Sequence, residues 1–190
     1  MKKFNRVILI KLIGLTLLLA VSTARSATLP QDSIYQLKSI WIDQDGNKRL
    51  LSSYSGKKQV LSLIYTHCLH TCPTIVSTMQ AIEHKLSDDE KQDVEYILVS
   101  LTPDTDTPEV MRDFAKKRNL NLQSWSLLTG SAEDVRDLAM VLNIKYQNVA
   151  DNEVSHSNII SGLDRQGRIK FQEIGVISNA ETLANKLKIF

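Results

Sequence analysis

Two apolar runs of strand length, Val60 to Tyr65 and Val94 to Leu101, each lead into a segment with helical spacing, and this repetition constrains the fold most. After the first run, Ile75, Val76, Met79, Ile82 and Leu86 recur at helical intervals, so a helix is expected from about Pro73 to Leu86. Pro73 suits a first turn, where its missing N–H costs nothing. After the second run, Asp106-Thr107-Pro108-Glu109 has the form of a capping box with an early proline and opens a helix to about Arg118.

The remaining segments extend this pattern. Ile34 to Ile42 and Leu50-Leu51 flank the turn signal Asp43-Gln44-Asp45-Gly46-Asn47, which predicts an N-terminal hairpin. Trp125 to Leu128 reads as a short strand, and Ser131 starts a helix with Val135, Leu138, Ala139 and Leu142 on its inner face. Ile144 to Val149 is expected to be extended, and Ser87 to Asp93 and Ala150 to Val154 read as polar connections. Strands at Ser157 to Leu163 and Ile169 to Ile174 are joined by the turn Asp164-Arg165-Gln166-Gly167, and Ser178 to Glu181 caps a last helix. The expected fold class is α/β and thioredoxin-like: a central mixed β-sheet flanked by helices, with an N-terminal β-hairpin. Trp41 and Trp125 are expected to be core or partly buried aromatics, and Met79 is expected in the core.

Residues 1–27 differ in composition from the rest. Lys2, Lys3, Arg6 and Lys11 give a basic start, Leu12 to Val21 is nearly all apolar, and Ser22 to Ala27 is a stretch of small residues with one Arg. That is the layout of a signal peptide, with cleavage expected after Ala24, Ser26 or Ala27. An uncleaved N-terminal membrane anchor is the alternative, because Val7 to Ile10 lengthens the apolar run. Either way residues 28–190 are expected to be one periplasmic or extracytoplasmic domain. The leader holds five basic residues and no acidic ones, so the remainder carries 18 Lys and Arg against 21 Asp and Glu, a net charge of −3. Such a domain has no electrostatic footprint for nucleic acid.

The chain has two cysteines, Cys68 and Cys72, and both fall where the first strand gives way to its helix. Export would by default oxidise them to a disulfide. A loop this small gives little stabilisation, so a chemical role is the stronger reading. The helix N-terminus favours thiolate, the form that exchanges disulfides and binds soft metal ions. Ligands in such sheets sit at strand carboxyl ends. Thioredoxin-like oxidoreductases place a cis-proline opposite their cysteines, before the final hairpin. Here the prolines are Pro30, Pro73, Pro103 and Pro108, and His156 stands at that point instead. Two thiolates and one imidazole suit copper and also accept zinc.

Three ordered motifs then resemble the Sco/SenC family. Tyr65-Thr66-His67-Cys68-Leu69-His70-Thr71-Cys72-Pro73-Thr74 resembles its Y-T-x-C-x-x-x-C-P-T signature. Leu98 to Glu109 resembles its V-S-x-D-P-x-x-D-T-P-E segment, and Val154-Ser155-His156-Ser157 the segment carrying its copper-binding histidine. The resemblance implies a thioredoxin-like domain that binds a copper ion through Cys68, Cys72 and His156. It also implies a role in assembling the copper A centre of cytochrome c oxidase, by delivering copper to its copper subunit or another extracytoplasmic cuproprotein. The alternative is a thiol–disulfide reductase acting on a partner's cysteines through the redox-active pair Cys68 and Cys72. Both readings need a thiol reductant protein as a partner.

This chain departs from the family pattern beside the ligands. Leu69-His70 replaces Pro-Asp, Ser155 replaces Asp, and the acid of the second motif shifts from before the proline to Asp104 after it. Asp104 is the candidate to orient His156 or Cys68, with a loop cap as the alternative. His67 and His70 could add a ligand or favour thiolate, against a plain reading as loop residues, and His84 is read as a surface residue.

Overall fold

The computed structural model describes residues 28–67, 71–150 and 153–190. The leader expected over residues 1–27 lies outside the described residues. The chain forms β1 (Trp41–Asp43), β2 (Lys48–Arg49), β3 (Lys58–Ile64), α1 (Thr71–His84), α2 (Asp88–Gln92), β4 (Val94–Ser100) and α3 (Pro108–Lys117). It continues through β5 (Trp125–Thr129), α4 (Ala132–Val141), β6 (Tyr146–Ala150), β7 (Glu153–His156), β8 (Ile159–Leu163), β9 (Ile169–Ile174) and α5 (Ala180–Lys188).

Seven strands make one sheet in the order β2-β1-β5-β4-β3-β8-β9. β3, β4 and β5 run parallel, and β1 and β8 join them antiparallel, so the sheet is mixed as expected. β6 and β7 form a separate antiparallel pair. Every residue of β3 from Gln59 to Ile64 is buried, on both faces of the sheet. A strand buried on both faces needs helices on both sides, as in parallel α/β sheets. α1 lies beside α5 and contributes the buried Ile75, Val76, Met79 and Ile82, while Met111, Phe114 and Ala115 come from α3. Trp41 and Trp125 are fully buried, and Tyr96 stacks on Trp125 with ring centroids 4.8 Å apart.

Four local expectations are corrected. Ile34–Gln36 and Leu51–Tyr54 are 3-10 turns, so the N-terminal hairpin is confined to β1 and β2 around the Asp43 turn. Ser87 to Asp93 is no simple connection: Ser87 accepts from the Glu90 N–H and the Glu90 side chain accepts from the Ser87 N–H, a capping box that starts α2. Glu153–His156 is a strand because it pairs with β6, and it begins inside the polar connection expected over Ala150 to Val154. The last helix is preceded by a 3-10 turn at Ile177–Asn179, and no side chain caps it.

α1 carries the second cysteine near its start, and its far end is fixed to the sheet. Glu83 accepts from the Trp125 indole Nε1–H at 3.0 Å and from the Ser124 hydroxyl at 3.1 Å. Removing the carboxylate leaves the buried indole N–H without an acceptor, which costs about 1–3 kcal/mol. Glu83→Ala is therefore expected to lower the urea-unfolding free energy by that amount. Glu83→Gln, which keeps an amide oxygen for the indole, is expected to recover most of it; equal losses in both variants would show that the indole bond is not the cause.

Candidate metal centre

β3 and β4 are paired over seven residues each, from Lys58 opposite Val94 to Ile64 opposite Ser100. Their carboxyl ends therefore emerge level, and the chain leaves β3 as Tyr65-Thr66-His67. Cys68, Leu69 and His70 lie outside the described residues. α1 begins at Thr71, so Cys72 is placed by its backbone as the second helical residue, earlier in the helix than the expected start at Pro73. The first-turn N–H groups of a helix have no intrahelical acceptor, and the dipole there stabilises a thiolate.

His156 is the last residue of β7, opposite Tyr146 of β6. Its ring lies edge-on to the Tyr65 ring, with centroids 6.0 Å apart and planes at 79°. Tyr65 is three residues before Cys68 in the chain, so β7 and the exit of β3 meet at the same end of the sheet. His156 Nδ1 lies 3.1 Å from the Ser157 carbonyl oxygen. A carbonyl only accepts, so this bond puts the proton on Nδ1 and, in the neutral ring, leaves the lone pair on Nε2. Ser157 is held in turn, its N–H donating to the Lys145 carbonyl at 2.9 Å. Burial lowers the His156 pKa below its ordinary 6.5, opposed in part by the bond to Ser157. The imidazole is thus kept in the neutral form that ligates metals.

The second motif provides a different group from the one expected. Asp104 is exposed on the loop after β4. Asp106, expected as a helix cap, is fully buried, and the cap of α3 is Thr107, whose hydroxyl accepts from the Val110 N–H. The Asp106 carboxylate accepts from the Ser100 hydroxyl at 2.6 Å and the Thr102 hydroxyl at 3.0 Å. It also accepts from the Thr66 hydroxyl at 2.5 Å and the Thr66 N–H at 3.2 Å. Asp106 and Thr66 are thus the two residues at this end of the sheet that sequence reasoning missed. The signal for Thr66 was its fixed place in the first motif; Asp106 looked like a cap because Thr107 follows it.

The histidines separate by position. His67 is exposed, with Nδ1 3.3 Å from the Thr66 hydroxyl oxygen, and His84 is exposed at the end of α1. Met79 is fully buried in the core. Among the described residues there is no cis peptide bond, and Ser157-Asn158 leads into β8 where an oxidoreductase would carry its proline. Among the described residues no group of three or more His, Cys, Asp and Glu is gathered as a metal cluster. The donor types that the sequence puts at this end, two thiols and a neutral imidazole, fit a soft or borderline ion.

Known proteins are similar to this chain in sequence or in fold. A SCO2-like protein of Rickettsia prowazekii is 27% identical over 167 residues, covering 82% of this chain and 80% of that protein. A SCO1/SenC family lipoprotein of Bacillus anthracis superposes with a TM-score of 0.71 at 26% identity, covering 78% of this chain and 90% of its own. The copper-bound structure of Arabidopsis thaliana ScoI shares the fold with a TM-score of 0.71 at 20% identity, covering 80% of this chain and 97% of its own. The family model described as SCO1/SenC matches residues 32–190, a span that includes all three motifs: this chain belongs to the SCO1/SenC family.

Proposed function

We propose that this protein is an exported copper carrier, in which Cys68, Cys72 and His156 hold one copper ion as cargo. Residues 1–27 act as its signal peptide or membrane anchor, and residues 28–190 as the working domain on the extracytoplasmic side. The acceptor is the copper A centre of cytochrome c oxidase or a similar extracytoplasmic copper site. One observation carries the reading: His156 packs edge-on against Tyr65, at the mouth of the segment that carries the two thiols. Its neutral ring, protonated at Nδ1 by the bond to Ser157, presents an Nε2 lone pair. The copper-bound ScoI of Arabidopsis thaliana and the lipoprotein of Bacillus anthracis lend support for the cargo and for an extracytoplasmic site.

Transfer by this route needs no turnover chemistry. The thiols are reduced by a partner thiol protein, take up copper with loss of their protons, and release it to acceptor ligands of higher affinity. A second reading is favoured by the place of Cys72 in the first turn of α1, where thiolate is stabilised. In that reading one thiolate attacks a partner's disulfide and forms a mixed disulfide. The other cysteine resolves it, so that the partner leaves as a dithiol and Cys68–Cys72 as a disulfide, to be reduced again by the thiol partner. The lack of a proline at His156 counts against a dedicated oxidoreductase.

His156→Ala separates the two readings. It is expected to weaken copper binding to the reduced protein by at least about 10–100-fold, the range that even outer-sphere changes reach. The same variant is expected to keep wild-type exchange with a small-molecule disulfide. A reduced wild-type protein that shows no sulfur-to-copper charge-transfer absorption on titration with copper, yet exchanges disulfides, would leave the reductase reading in its place.

The lowered pKa of His156 gives a pH dependence of known sign. The unfolded chain takes up this proton near pH 6.5 and the folded one only below it. Acidification through that value therefore costs stability, and raising the pH above it restores the loss. In an NMR titration of the reduced, metal-free protein the His156 ring protons are expected to shift with a midpoint below 6.5. A midpoint at or above that value would show that burial does not govern the ring.

A further inference from the structure

We propose that Asp106 is the positioning residue of the thiol segment: through Thr66 its buried carboxylate fixes where the chain leaves β3 on its way to Cys68. The proposal rests on the reading of Cys68, Cys72 and His156 as a ligand set, and adds the group that holds that set in register.

Four donors converge on this carboxylate, and they divide into two kinds. Ser100 and Thr102 belong to its own strand end and loop, as does the Asp106 N–H, which donates to the Thr102 carbonyl at 2.9 Å. Those bonds shape the turn between β4 and α3. The other two donors both belong to Thr66, 40 positions earlier in the chain. The Thr66 backbone N–H and hydroxyl bind opposite carboxylate oxygens, Oδ2 and Oδ1, so both its backbone direction and its side-chain rotamer are fixed. A turn-shaping role needs neither bond.

Their position matters because Thr66 is the second residue beyond β3 and the second before Cys68. Tyr65 beside it makes the ring contact with His156. Two consecutive residues thus fasten the base of the thiol segment, one to the histidine and one to the buried carboxylate. Among the described residues no Lys, Arg or His forms an ion pair with Asp106, so hydroxyls and an amide alone hold it. A carboxylate can accept from all four donors. Asn would offer one oxygen and turn an NH₂ donor toward groups that also donate. Groups that hydrogen-bond directly to metal ligands change affinity by about 10–100-fold when lost, and the lower end of that range is expected for a residue acting one step further out.

The test uses the full reduced protein and five variants, four single and one double. Copper(I) affinity is measured by competition with a chromophoric copper(I) chelator, and the Cys68–Cys72 equilibrium by redox titration against glutathione. Asp106→Asn and Thr66→Val are each expected to weaken copper binding by at least about tenfold. The double variant should be no weaker than the worse single one, because both remove one linkage. Thr66→Ser, which keeps both donors, should bind like wild type. Ser100→Ala removes a bond to the same carboxylate away from the thiol segment, and should stay within about threefold of wild type while losing stability.

Wild-type affinity in Thr66→Val, or a loss in Ser100→Ala as large as in Thr66→Val, would show that Asp106 only shapes the turn. Should Asp106→Asn fail to fold, the three variants that retain Asp106 still decide. If the wild-type protein binds no copper, the carrier reading fails, and the positioning role is judged on the glutathione equilibrium. A tenfold change in Thr66→Val then supports it, and an unchanged equilibrium overturns it.

Discussion

The level pairing of β3 with β4 is the constraint on which the rest of this molecule depends. Seven residues of each strand match in parallel register, and nearly all are buried. A one-residue slip would exchange the faces of every side chain, so two-sided packing under the helices holds the register. Because the strands end level, Thr66 beyond β3 and Ser100 at the end of β4 stand within reach of one carboxylate. The crevice at strand carboxyl ends, where ligands sit in open α/β sheets, is here joined by hydrogen bonds from one strand to the next. β7 adds its terminal histidine from outside the main sheet, against the ring of Tyr65.

The elements legible in the sequence were those whose physics is local. β3 and β4 were read to within two residues because mostly apolar runs of strand length have few other solutions, and β9 because it follows the turn Asp164-Arg165-Gln166-Gly167. The inner face of α4 was read from its 3.6-residue period, and Val135, Leu138, Ala139 and Leu142 are all buried. Misreadings came where local pattern and tertiary contact disagree. Ile34 and Leu51 are apolar and buried, which mimics a strand, yet each sits in a 3-10 turn. α2 has no buried residue and hence no period to detect, and its start signal, Ser87 with Glu90 three positions later, was present but unused. β7 is polar and exists only through its pairing with β6.

The candidate site shows the same division more sharply. The cysteines were singled out as candidates by their rarity and the strand–helix junction, and His156 by the place where a proline was expected. Asp106 was not found, because Asp106-Thr107 offers two residues fit to cap α3. Thr107 takes the cap, and Asp106 turns to the interior, where it binds Ser100, Thr102 and a threonine forty positions earlier in the chain. No spacing rule within one segment can show that. Asp104 drew attention as the acid nearest the proline, yet the chain turns it to solvent.

The buried carboxylate and the neutral histidine also constrain the chemistry that this end of the sheet can support. Asp106 is already engaged by four donors, so it has little capacity left to act as a base toward a substrate. His156 is pushed by burial toward its neutral form, which makes it a poor general acid near neutral pH and a good electron-pair donor. The sheet end therefore holds a fully engaged acidic side chain that orients backbone, and an uncharged ring held at Nδ1. Neither is arranged to move protons. A site assembled to hold an ion between sulfur and nitrogen needs such groups; one that accelerates thiol exchange would gain more from a cationic imidazole beside its attacking sulfur.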